Sequence, residues 1–330
     1  MNRPSNRKVD QRKVDQQEYD SVRRYVDMWA MPGMHPSNVE FLQKLKTADT
    51  NHFTTHMDCV GTVSELDQES GDWEKTHLVG VRTDVWKPDD EELDCALGAM
   101  QDKRRREVKQ SIKKHGRLTK KQTERLDEEL AADEIMQLKC NEIETRRLVL
   151  KLFKTTGTRV RWVGTIEEVT AMEVQNSMGS ARTLITMAVN LPRTSFVTYV
   201  QQNHRTFRIP AIYTSGFYDD EQMWNVMIKR QWFSIGADFD VEVNGETIGE
   251  IDGRLFSFGY DSYVEVDEHP LAENTQFVDL LTLFATSVGY HKAMRRSIKK
   301  RTEAACCGES HRNLLHDEEL RLRHNGRAAA

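Results

Sequence analysis

The chain has 330 residues, 38% of them hydrophobic and 30% charged, which suits one large or two smaller domains with some solvated helix or tail. A formal net charge of −5 excludes a protein that coats nucleic acid with its whole surface and leaves only local basic patches for that purpose. Of five cysteines, Cys59, Cys95, Cys140, Cys306 and Cys307, the one close pair is adjacent in sequence and cannot easily bridge; with no apolar core near the N-terminus to act as a secretory signal, this points to a reducing, cytoplasmic setting.

In chain order, residues 1–18 are charged, carry the echo "RKVDQ-RKVDQ" and are expected to be a disordered tail. Residues 19–90 read as a small mixed region. Val22, Tyr25, Val26 and Trp29 stand at helical spacing and predict a short helix over 19–29, broken by Pro32, Gly33 and Pro36. "SNVEFLQKLK" predicts a short capped helix and "THLVGVRTDVW" a strand. His52, His56 and Cys59, with Asp58 and His77 nearby, have metal-like spacing but lack a second half, so no metal is assigned.

Residues 91–154 lose proline and fill with Glu, Lys, Arg, Gln, Leu and Ala, the composition of a helical hairpin. Gly116 suits a helix C-terminus, and Thr119 with Gln122 a capping box that opens the second arm. Between Lys103 and Lys121 there are ten Lys or Arg and one acid, whereas Glu124 to Glu134 holds six acids and one Arg. The plain account is two antiparallel arms with complementary charge. The alternative is a phosphate-backbone contact to nucleic acid through Arg104, Arg105, Arg106, Lys109 and Lys113, strongly salt-dependent because the arm has no aromatic residues to stack on bases.

From residue 155 the hydrophobic period changes to two. "TRVRWVGTIEEV", "RTLITMAVNL", "SFVTYVQ", "RTFRIPAIYTS" and "MWNVMIKRQWFSI" predict strands of an antiparallel meander with no helix between them. Asp219, Asp220 and Glu221 lack the alternating oxygen spacing of a calcium loop and read as a hairpin tip.

Within this half, "RQWFSIGADFDVEV" at 230–243 is echoed by "RLFSFGYDSYVEV" at 254–266. A shift of twenty-three positions aligns Phe233, Ser234, Gly236, Asp238, Val241, Glu242 and Val243 with identical residues. Asn244-Gly245 predicts a type I′ hairpin turn, and a bulge is expected at Asp252-Gly253. The repeated Gly-x-Asp is expected to make equivalent corners, with glycine supplying positive φ and aspartate bonding to the local backbone. Phe233 and Phe256, with Ile235 and Phe258, are expected to share one face.

The segment after it, "ENTQFVDLLTLFATSVGYHKAMRRSIKKR", has Asn274 and Thr275 as N-cap candidates and is apolar on most of its circumference through Val288. Too short to span a bilayer, such a helix must be buried in its own protein. Beyond Val288, Lys292, Arg295, Arg296 and Lys299 form a basic stripe at i, i+3, i+4 and i+7, suited to anionic head groups or to a solvated helix end. Cys306 and Cys307 follow it as acylation candidates in a tail over 302–330.

The segment from about Met223 to Arg301, especially "FSIGADFDVEVNGETIGEIDGRLFSFGYDSYVEV" and the apolar helix behind it, resembles the LURP-one-related and phospholipid-scramblase families, which share the tubby-like barrel. The resemblance implies an α+β fold in which residues 155–301 form a closed antiparallel barrel of about twelve strands around a central hydrophobic helix, behind an α-rich region that is not part of the family pattern. It also implies binding to anionic phospholipid, because tubby-like proteins are associated with phosphoinositides. No GxSxG, HExxH, P-loop or dinucleotide fingerprint occurs, so neither catalytic residues nor a cofactor are assigned. The expectation is a non-enzymatic module for phospholipid head groups or a protein partner, peripheral at a membrane.

Overall fold

The structure, a computed structural model, describes residues 21–46, 56–87, 98, 106, 146–192, 194, 197–204, 209–219, 221–233, 236–256 and 259–307. Twelve antiparallel strands form one closed barrel. They are β1 (Val22–Trp29), β2 (Met57–Leu66), β3 (Trp73–Arg82), β4 (Val149–Thr156), β5 (Arg159–Glu168), β6 (Thr186–Asn190), β7 (Thr198–Gln202), β8 (Ile212–Tyr218), β9 (Met223–Arg230), β10 (Phe239–Val243), β11 (Glu246–Phe256) and β12 (Gly259–Val266). Sequential strands neighbour one another, and β1 closes the ring between β2 and β12, with Val22 opposite Val266 and Trp29 opposite Gly259. Closure leaves no exposed edge to template another chain.

The barrel therefore begins at residue 22, not 155, and the region expected to be mixed supplies its strands β1, β2 and β3. The expected helix over 19–29 is the closing strand. Its inward residues are Arg24, Val26 and Met28, and the arginine hides the period-two pattern. Outward-facing Tyr25 instead meets Trp73 and Tyr263, at ring-centroid distances of 6.2 and 5.1 Å, which gave the misleading helical spacing. The end of the expected hairpin region is also strand: Leu148, Leu150 and Leu152 turn into the barrel while Phe153 packs outside it. The rest of that region, apart from Gly98 and Arg106, lies outside the described residues.

Four helices accompany the barrel among the described residues: α1 (Asn38–Lys46), α2 (Thr170–Ser177), α3 (Thr275–Val288) and α4 (His291–Cys306). Helix α1 covers an outer apolar patch of Phe41, Met57, Cys59, Leu78, Phe153 and Trp162. Helix α2, which the strand pattern did not announce, interrupts the meander between β5 and β6. Asn274 caps α3, its Oδ1 accepting from the N–H groups of Gln276 and Phe277 at 3.0 and 3.3 Å.

All residues of α3 from Phe277 to Val288 are buried. Their side chains meet well-separated strands of the ring: Phe277 touches Phe217 of β8, Phe284 touches Phe239 of β10, Asp279 bonds Arg24 of β1, and Leu283 occupies the space a Cβ on Gly164 of β5 would need. Each large apolar side chain so buried contributes about 1.5–3 kcal/mol. The hydroxyls of Thr282, Thr286 and Ser287 donate to the helix's own carbonyls at 2.7 Å, so they carry no unmet desolvation cost. Asp279 is answered by Arg24 Nη1 at 2.7 Å. The expected single helix from Asn274 breaks at Gly289 and Tyr290, where the tyrosine hydroxyl donates to Trp29 O at 3.0 Å, and resumes as α4 through Cys306. Residues 302–306, expected in a tail, thus belong to this helix, while 308–330 lie outside the described residues.

The repeat spans the β10–β11 pair. Its two copies hold the β9–β10 and β11–β12 connections, both at the same end of the barrel. Asn244 and Gly245 take φ of 52° and 92°, as a type I′ turn requires. Gly236 and Gly259, however, are not among the positive-φ residues; they are needed for close approach. A Cβ on Gly236 would sit 1.8 Å from Gly253 O, and one on Gly259 would sit 2.1 Å from Met28 O. The aspartates reach across the corners: Asp238 Oδ1 accepts from Gly253 N, and Asp261 pairs with Arg254. The bulge falls between Val241 and Glu242, opposite β11 near Gly249, whereas Asp252 and Gly253 pair regularly with Tyr263 and Ser262.

Candidate functional site

At the barrel end that carries the repeated corners, α4 leaves α3 and runs beside the strand termini, and a cavity of about 640 Å³ opens there. Its wall includes five cations from three parts of the chain: Arg182, Arg230 at the end of β9, and Lys292, Arg295 and Lys299 of α4. Tyr213, Phe239 and His291 lie at its buried side and exposed Leu255 at its rim. No Asp or Glu is among the residues that line it.

Helical spacing explains the α4 contribution, since positions i, i+3 and i+7 project to one side. Three of the four residues of the expected stripe, Lys292, Arg295 and Lys299, thus line one cavity, whereas Arg296 is part-buried and outside its lining. Arg295 is fixed in place: Nη1 donates to Thr183 O at 2.9 Å, and Nη2 donates to Gln202 Oε1 at 3.1 Å and to Tyr213 OH at 3.4 Å. Lys299 lies within 3.8 Å of Glu303 at the solvent edge. The stripe is therefore graded, with one rigid guanidinium deep in the wall and exposed ammonium groups at the rim.

His291 completes the buried side. Its Nδ1 lies 3.3 Å from Tyr213 OH and its Nε2 3.3 Å from Ser287 Oγ. Burial, then the nearby charges of Arg295 and Arg230, hold its pKa well below the ordinary histidine range. It is a neutral hydrogen-bonding group at pH 7, and the same cationic field that disfavours its protonation favours an anion in the cavity. An anionic oxygen about 4 Å from one such cation gains roughly 4 kcal/mol at an effective dielectric near 20, before desolvation is subtracted.

The other sequence candidates do not assemble into sites. Cys59 faces the outer patch under α1, while His77 on β3 faces inward with Val79 and Val81. His56 is exposed, and His52 lies outside the described residues. Among the described residues no group of three His, Cys, Asp or Glu is placed to hold a metal. Cys59 does approach His35, with Sγ 3.9 Å from Nδ1, and His35 Nε2 lies 3.6 Å from Asp27. That resemblance to a nucleophile set is superficial. Cys59 is fully buried, burial pushes its thiol up to about 12, and His35 Nδ1 already accepts from Ser37 N. Asp219 serves its turn, Oδ1 accepting from Gln222 N at 2.8 Å and Oδ2 from the Trp224 indole at 2.6 Å. Cys306 and Cys307 are free and exposed at the end of α4. Arg106 is helical and exposed; Arg104, Arg105, Lys109 and Lys113 lie outside the described residues.

Sequence reasoning missed Arg182, Arg230, Tyr213 and His291. Their only sequence signal was position at strand or helix ends; what unites them is barrel closure, which brings residues separated by up to about a hundred positions to one mouth. Among the described residues no helix is long and apolar enough to cross a membrane. No protein-family model, curated protein or solved structure matches the chain.

Proposed function

We propose that this protein is a non-enzymatic binding module that takes the phosphorylated head group of an anionic phospholipid in the cationic cavity. In this reading the barrel is tubby-like, α3 is its central helix, and the protein works peripherally at a cytoplasmic membrane surface. The observation that carries it is the lining itself, five cations and no carboxylate around a space large enough for a phosphorylated head group. The α3 contacts with β1, β5, β8 and β10 support the central-helix part, since a helix touching separated arcs of a closed ring fits its interior.

The chemistry favours phosphate. Arg295 is held by three hydrogen bonds and so presents its charge without further ordering cost. Lys292 and Lys299 add adjustable ammonium donors at the opening. Vesicle co-sedimentation tests the reading: the full chain is expected to pellet with phosphatidylcholine vesicles containing a phosphoinositide, and to stay soluble with phosphatidylcholine alone. K292Q/K299Q is expected to lower the bound fraction about tenfold or more, given roughly 1 kcal/mol per near-surface cation. Equal retention of the double variant on the phosphoinositide vesicles would rule the cavity out as the site.

A further inference from the structure

The loop between β9 and β10 carries two large aromatic residues that the core does not use. Trp232 is 64% exposed and Phe233, which the repeat aligns with part-buried Phe256, is 97% exposed. Both ends of this loop belong to the cavity wall, Arg230 entering it and Ala237 leaving it, and half-exposed Leu255 stands on the same rim. The aromatics therefore rise beside the cationic mouth.

The loop is braced at its base. Gln231 N donates to Asp238 O at 2.9 Å, Arg230 Nη2 donates to Gly236 O at 3.1 Å, and Ala237 N donates to Gly253 O at 3.0 Å. Asp238 returns a bond from Gly253 N at 2.9 Å, and the close Gly236 to Gly253 approach admits no side chain at residue 236. With the base of the loop braced in this way, Trp232 and Phe233 stand exposed outside the barrel.

Exposed aromatics need a partner that welcomes apolar surface, and the neighbouring cavity needs one that carries negative charge. A bilayer with anionic lipid supplies both in the same plane, an acyl boundary for Trp and Phe and head groups for Arg230, Lys292, Arg295 and Lys299. We infer that the Trp232–Phe233 loop is an interfacial anchor that inserts into an anionic leaflet and sets the cavity mouth against the head groups. The inference rests on the head-group reading and deepens it: the physiological ligand is a lipid in a membrane, and a free phosphorylated anion engages only the cavity half of the site.

The test uses the full chain with two probes: phosphatidylcholine vesicles containing phosphoinositide, by co-sedimentation, and a soluble inositol trisphosphate, by calorimetry. W232S/F233S is expected to weaken vesicle partition about 30-fold, the loss expected for two partly inserted aromatic side chains, and to leave trisphosphate affinity within about twofold of wild type. K292Q/K299Q is expected to weaken both. In wild type, tryptophan emission shifts to shorter wavelength on vesicle addition; W232F, which retains apolar surface, keeps vesicle binding and loses that shift. Unchanged vesicle partition of W232S/F233S, with trisphosphate still bound, would overturn the anchor and leave the head-group reading standing. Absence of trisphosphate binding by wild type would instead sink the head-group reading. Parallel loss of both ligands in a folded W232S/F233S would also overturn the anchor, because the loop would then belong to the cavity.

Discussion

Helix α4 carries arginine into two environments that differ in charge balance. Toward its C-terminus Arg301 is buried against two carboxylates, Glu168 and Glu173, and its Nη1 donates to Arg146 O at 3.1 Å. Arg146 in turn lies over the Trp86 ring at 4.4 Å and donates to Ser297 Oγ at 2.7 Å and Ala293 O at 3.1 Å. Toward its N-terminus Arg295 shares a cavity wall with four further cations and no carboxylate. The first cluster is closed chemistry: its charges answer each other, so it fixes α4 to α2 and the barrel. The second lines an open space with cations and no carboxylate in its wall, Lys299 reaching Glu303 at 3.8 Å on the solvent side, and a wall of net positive charge is the arrangement an anion-binding site requires.

If this contrast is correct, breaking the closed cluster costs stability and breaking the open one costs binding. The largest effect is expected from R301A, which leaves the buried Glu168 and Glu173 without their cation; denaturant unfolding should show a loss of about 3–5 kcal/mol. R295Q sits between the two classes. Its lost bonds to Thr183 O and Gln202 Oε1 predict about 1–2 kcal/mol of destabilisation together with weaker anion binding, measurable on one preparation by unfolding and calorimetry. K292Q/K299Q is expected to change unfolding free energy by no more than about 0.5 kcal/mol while binding falls, because both side chains are exposed.

Glu173 sharpens the same comparison through pH. Burial first, then the Glu168 carboxylate, holds its pKa well above the ordinary carboxylate value, with Arg301 opposing. The folded state therefore binds a proton that the unfolded chain releases near pH 4.5. Its contribution to stability is complete below that pH and is lost as pH rises through the folded value. E173Q, which mimics the protonated acid, is expected to flatten the stability profile above about pH 5; a wild-type slope retained by the variant would assign the titration elsewhere.

How far these features were legible in the sequence depends on whether the signal was local. The Asn244-Gly245 turn, the Asn274 cap and the buried circumference of α3 follow from neighbours in sequence, and the structure has all three. Strand β1 was illegible because Arg24 occupies an inward position whose logic lies in Asp279, 255 residues away. Strand β4 was masked by leucines that suit a helix as well as a barrel interior. The repeat pointed to the right corners for an incomplete reason, since steric closeness of Gly236 in the β9–β10 connection to Gly253 of β11 fixes the residue type. The α4 stripe was readable from its spacing, but Arg230 and Arg182 join it only through the closed ring.

The central claim is that the open cluster binds a phosphorylated anion. Calorimetric titration of soluble inositol trisphosphate into wild-type protein and K292Q/K299Q, at low and at physiological salt, measures it most directly. The account predicts saturable binding to wild type that weakens as salt rises, and a loss of about tenfold or more in the double variant with its unfolding transition unchanged. Equal affinity of the two proteins, or no heat of binding by wild type at low salt, would contradict it.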